Sequence, residues 1–97
     1  MAYDPGAIDA TLAAAIGNDP VLIAELRAVF VERARAGLTA IEEAPDNAAR
    51  GAAARRLKGL AASFGAVRLM ALATEAIVAG AADAAVAKRL RRAIERL

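Results

Sequence analysis

Apolar residues return along this chain at spacings of three and four, and glycine, proline and aspartate interrupt them so as to divide it into five helical segments. Ile8, Leu12 and Ile16 recur after Asp4, Pro5 and Gly6, and Gly17 with Asn18 closes this first helix. Asp19 then has the side chain of an N-cap, and Pro20 takes the first helical position, where its missing N–H is not needed. In the long helix that follows, Ile23, Leu26, Phe30, Ala34, Gly37, Leu38 and Ile41 form one stripe, while Glu25, Glu32, Arg35 and Glu43 fall elsewhere. Pro45 ends it.

Asp46 is the next cap, and a third helix runs to about Phe64, where Gly65 can adopt the left-handed conformation that stops it. A fourth helix is predicted over 66–79 up to Gly80, and a fifth over about 83–96 with Val86, Leu90, Ile94 and Leu97 inward. Connections this short favour antiparallel neighbours. The pattern therefore predicts one domain over 1–97, all-α, an antiparallel up-down four-helix bundle with a short extra N-terminal helix lying across one end.

Composition agrees with that reading. Hydrophobic residues make up 59% of the 97 and aromatics only 3%, so alanine carries the apolar count and helix propensity dominates throughout. No charge-free run approaches the roughly 18 residues of a spanning helix, and no membrane partner is expected. The chain does not open on a basic stretch followed by an apolar core and cleavage site, which makes a cytoplasmic location the expectation. Without cysteine there is neither a disulfide nor thiolate chemistry.

Charge divides unevenly along the sequence: residues 1–48 hold 3 basic and 8 acidic side chains, residues 49–97 hold 10 and 3. The second half offers a cationic surface to a phosphate, a nucleic acid or an acidic protein pocket.

On a helical wheel of the third helix, Ala53, Leu57, Leu60, Ala61 and Phe64 gather on the core side. Arg55 points the opposite way, accompanied by Ala48, Gly51, Ala52, Lys58, Gly59 and Ala62. Two long cations thus rise from a strip of residues that hardly project. Glycine inside a helix is about 1 kcal/mol less favourable than alanine, and two of them on this face imply that something approaches it closely. An alanine-rich composition alone also yields small exposed residues, so the strip by itself does not define a partner.

The run Arg55-Arg56-Leu57-Lys58-Gly59, followed by Ser63-Phe64-Gly65-Ala66, resembles the signature of histidine phosphotransfer (HPt) domains, in which His-x-Leu-Lys-Gly precedes a Gly-Ala at the end of the same helix. Upstream, the segment IGNDPVLIAELRAVFVERARAGLTAIEEA is similar to the family's preceding helix, with its Asp-Pro start and the aromatic at Phe30. Asp46 matches an aspartate that commonly begins the site helix, and Leu69 and Leu72 match the next one, whose usual acidic residue has no counterpart here. The likeness spans nearly the whole chain.

Arg55 stands where the family carries its phospho-accepting histidine, and the chain has no histidine at all. Phosphotransfer requires an imidazole nitrogen that is nucleophilic when neutral; a guanidinium stays protonated and has no lone pair to attack phosphorus. The resemblance therefore implies recognition without phosphate transfer. It implies as partner a response-regulator receiver domain or a sensor histidine kinase, with Arg55 entering an acidic pocket, Lys58 as second cation and Gly59 keeping the approach clear. Gly51, Ala52, Arg56 and Ala62 complete the expected docking face.

Other constellations lead nowhere further. Lys88, Arg89, Arg91, Arg92 and Arg96 make the last helix basic, but Glu95 interrupts them, no aromatic is interleaved for base stacking, and a net charge of +2 is small for a nucleic-acid binder. Glu42 and Glu43 read as surface charge, Ser63 and Thr39 have no histidine base, and Tyr3 is expected to pack against one end of the helices. No enzyme activity, metal, cofactor or small-molecule substrate is expected, and the chain reads as a monomer. The competing readings are a basic domain binding nucleic acid or an anionic surface, and a homodimer through the third helix.

Overall fold

The computed structural model describes residues 5–79 and 83–97, and every regular element within them is an α-helix. The helices are α1 (Pro5–Ile16), α2 (Pro20–Glu42), α3 (Asn47–Ser63), α4 (Val67–Ala79) and α5 (Ala84–Glu95). Asp4, Tyr3 and Gly80, to which the sequence assigned a helix start, a packing contact and a helix stop, lie outside the described residues. No helix among those described is long and apolar enough to cross a membrane.

The caps form as their residue types require. Asp19 accepts hydrogen bonds from the amides of Val21 and Leu22, at 3.1 and 3.2 Å, with Pro20 opening α2 behind it. Asp46 accepts from the Ala49 amide at 2.7 Å, and Asp83 from those of Ala85 and Val86 at 2.9 and 3.3 Å. Each aspartate thus occupies amides that the helix itself leaves unbonded.

The stop of α3 is a Schellman turn: the Ala66 amide bonds the Ala61 carbonyl, the Gly65 amide bonds that of Ala62, and Gly65 has φ +68°. Gly65 is needed there for a second reason. A Cβ on it would lie 2.0 Å from Thr11 Oγ1, so the α3–α4 turn and α1 touch at a point with no room for a side chain.

All five helices contribute to one core. Phe30, Ala34, Leu38 and Ile41 of α2 meet Ala53, Ala54, Leu57 and Ala61 of α3; α4 adds Leu69, Leu72, Ala73 and Ala76, and α5 adds Val86, Leu90, Ala93 and Ile94. Ile8 and Leu12 bring α1 onto it. Within the long stripe of α2, Ile23, Leu26 and Gly37 are half-buried, and Phe30, Ala34, Leu38 and Ile41 are closed off. Ile16, which continues the spacing of Ile8 and Leu12, is exposed, because it is the last residue of α1 and no helix covers it.

Helix α3 packs most extensively against α4 and α2, α5 packs against α4 and α2, and α1 packs against α2. At about 34 Å, the 23-residue α2 runs most of the molecule's 42 Å length. Small side chains set the spacing. A Cβ at Gly37 would stand 3.2 Å from Leu57 Cδ1, so α2 and α3 approach as closely there as a glycine allows. The rings of Phe30 and Phe64 stack at the other end of the same seam, with centroids 4.8 Å apart.

Candidate functional site

Because α3 lies between α2 and α4, it turns a single face outward, and Arg55 sits near its middle. Arg55, Lys58, Gly59 and Ala62 are exposed; Gly51 and Ala52 are half-buried. The two glycines of this face do different things. Around Gly59 nothing lies within 4 Å of where a Cβ would be, so the helix surface there is bare. Over Gly51, by contrast, lies the guanidinium of Arg55 itself, its Nη1 3.6 Å from the same kind of point. Side chains on a helix lean toward its N-terminus, and Arg55 accordingly lies back across the residue four positions earlier. Only Gly59 is the open approach that the sequence suggested at both positions.

The chemistry of α3 is one-sided. From Asn47 to Thr74 the chain contains Arg50, Arg55, Arg56, Lys58 and Arg68 and no acidic residue. Arg50 is engaged locally, donating to the Asn47 side chain at 2.9 Å and the Ala44 carbonyl at 3.4 Å. Ser63 donates to the Gly59 carbonyl at 3.0 Å, within the helix. Among the described residues α3 makes no side-chain hydrogen bond or ion pair to another helix, and Arg55, Arg56 and Lys58 have no carboxylate partner. Among the described residues, what joins α3 to the other helices is apolar packing, which leaves Arg55, Arg56 and Lys58 available to solvent or a partner.

Arg56 is turned aside from this stripe, toward the seam with α2. With Arg33 of α2 it borders a groove of about 260 Å³ whose floor includes Gly37, Leu57 and Leu60. Sequence reasoning placed Arg56 on the docking face but passed over Arg33, whose position opposite Arg56 depends on the register between two helices. The buried Ala54 was likewise missed on α3, since alanine reads the same on either face of a wheel.

The basic last helix is differently disposed. Arg89 pairs with Glu75 of α4 at 3.2 Å, and Arg91 pairs with Glu42 of α2 and reaches Glu95 at 3.9 Å. Glu42 thus joins two helices, where the sequence suggested surface charge alone. Among the described residues no three carboxylates come together in a way that could hold a metal ion. No family model matches this chain, and no curated protein or solved structure does either.

Proposed function

We propose that this chain is a non-catalytic binding module of the HPt type, an antiparallel four-helix bundle with a short added helix, whose α3 face docks against an acidic pocket on a protein of two-component signalling. The partner class is a response-regulator receiver domain or a sensor histidine kinase. The observation that carries the reading is the pairing of bare helix surface at Gly59 with the uncompensated cations Arg55 and Lys58 beside it. The resemblance of residues 55–66 to the HPt signature supplies the partner class.

In this arrangement Arg55 is the central contact. Its planar fork can take a carboxylate through two parallel N–H donations, which a lysine cannot match. Lys58 adds a flexible second charge one turn on, and Gly59 and Ala62 let the partner's surface come within contact distance of the helix backbone. A protonated guanidinium has no free lone pair to attack phosphorus, so binding would occupy or block the partner without relaying phosphate.

The test is capture from the source organism's lysate on wild-type and Arg55→Glu baits, identification by mass spectrometry, and titration of the purified hit. A receiver domain or histidine kinase that binds wild type and is lost with Arg55→Glu supports the proposal. Equal capture by both baits removes Arg55 from the mechanism. Steeply salt-dependent binding to any polyanion, indifferent to Arg55, would move the function to the acid-free surface as a whole. Self-association is opposed by the like charges that two α3 faces would bring together.

A further inference from the structure

Three of the packed helix pairs are closed at the surface by an arginine and a carboxylate: Arg27 with Asp9 between α2 and α1, Arg89 with Glu75 between α5 and α4, and Arg91 with Glu42 between α5 and α2. Both seams of α3 depart from this, with no ion pair to α4 or to α2 among the described residues, and of the two the α2–α3 seam carries a cation pair. It presents Arg33 and Arg56, one from each helix, along the same groove, and no acid among the described residues answers either. Between them the floor is apolar and set low by Gly37 and by the half-buried Leu60. Like charges sharing a groove repel mildly, and a carboxylate placed between them relieves that repulsion while gaining two partners.

We propose that this groove is a specificity subsite, made by Arg33 and Arg56, for a partner segment in which an acidic residue stands beside a bulky apolar one. The carboxylate bridges the two guanidiniums and the apolar side chain lies on the Gly37–Leu60 floor. The inference rests on the docking reading above for the rest of the interface, but it adds Arg33 and a second helix to the contact and states what the partner must carry. An arginine pair over a small apolar floor selects against a purely acidic polymer, which has nothing to fill the groove, and against an apolar surface without charge.

The probe is a fluorescein-labelled amphipathic peptide of glutamate and leucine, with one counterpart carrying lysine for glutamate and another carrying serine for leucine. Binding is read by anisotropy and mapped by amide and methyl NMR shifts on the full chain. The glutamate–leucine peptide is expected to shift Gly37, Ala40 and Leu60. The serine version should bind roughly tenfold or more weakly, from the loss of buried leucine surface. Arg33→Glu and Arg56→Glu should each weaken the glutamate–leucine peptide by roughly tenfold. The doubly substituted chain should prefer the lysine–leucine peptide. Both positions are exposed, so each variant should melt no lower than wild type, Arg33→Glu being able to pair with Arg56.

Equal binding of the serine and leucine peptides, or shifts spread over every cation, overturns the subsite in favour of diffuse attraction. With the captured signalling partner, loss on Arg55→Glu but not on Arg33→Glu overturns the subsite and leaves the α3 docking reading standing. Loss on Arg33→Glu but not on Arg55→Glu does the reverse.

Discussion

At the scale of single residues, the glycines separate structure from function. Gly59 lies inside α3 with nothing near the place a Cβ would take. Gly59→Ala should therefore stabilise the fold by about 0.5–1 kcal/mol, seen as a higher urea midpoint. If the bare surface serves docking, the same variant should lose affinity for the partner as it gains stability. Gly65→Ala should act oppositely. Its φ of +68° and the Thr11 hydroxyl in the way together should lower stability by at least ~1–3 kcal/mol, and Thr11→Ala should recover part of that loss. Both glycines were legible as glycines of a helix and its stop; Thr11 was not, because it stands more than fifty positions away in sequence.

Among the elements, α3 depends on its ends and its apolar face, since it has no polar tie to another helix among the described residues. Asp46→Ala removes the side chain that accepts the Ala49 amide and should lower stability by about 1 kcal/mol, with an unchanged denaturant slope. Glu42→Ala breaks the contact of Arg91 with α2, but that pair is substantially solvent-exposed, and the expected loss is below about 1 kcal/mol. The caps of α2 and α3 could be read directly from Asp19, Pro20 and Asp46, because capping is chemistry between residues two or three apart. Which cation of the last helix meets which carboxylate could not, because those partners belong to other helices.

For the molecule as a whole, the position of α3 between two neighbours ranks the helices. Its amides are expected to exchange hydrogen most slowly, and those of α1, which rests mainly on α2 and the Gly65 turn, fastest. Hydrogen exchange followed by mass spectrometry or NMR checks the order, and protection of α1 equal to that of α3 would contradict it. Leu57→Ala should lower stability by about 2–5 kcal/mol, because Leu57 is fully buried opposite Gly37 and the alanine-lined surroundings have few large side chains to move into the space.

The sequence by itself determined five helices, the caps at Asp19 and Asp46, the stop at Gly65, and the sides on which Phe30, Leu38, Leu57, Leu90 and Ile94 are buried. Local hydrogen bonding and the helical period act over a few residues, and those are written in order along the chain. It also determined that α3 would carry cations without acids. Tertiary structure alone decided that Thr11 closes on Gly65 and that Arg33 and Arg56 border one groove. Those arrangements depend on rotamers and on the register between helices. Alanine, which suits a core as well as a surface, leaves that register to be chosen by the packing of the whole.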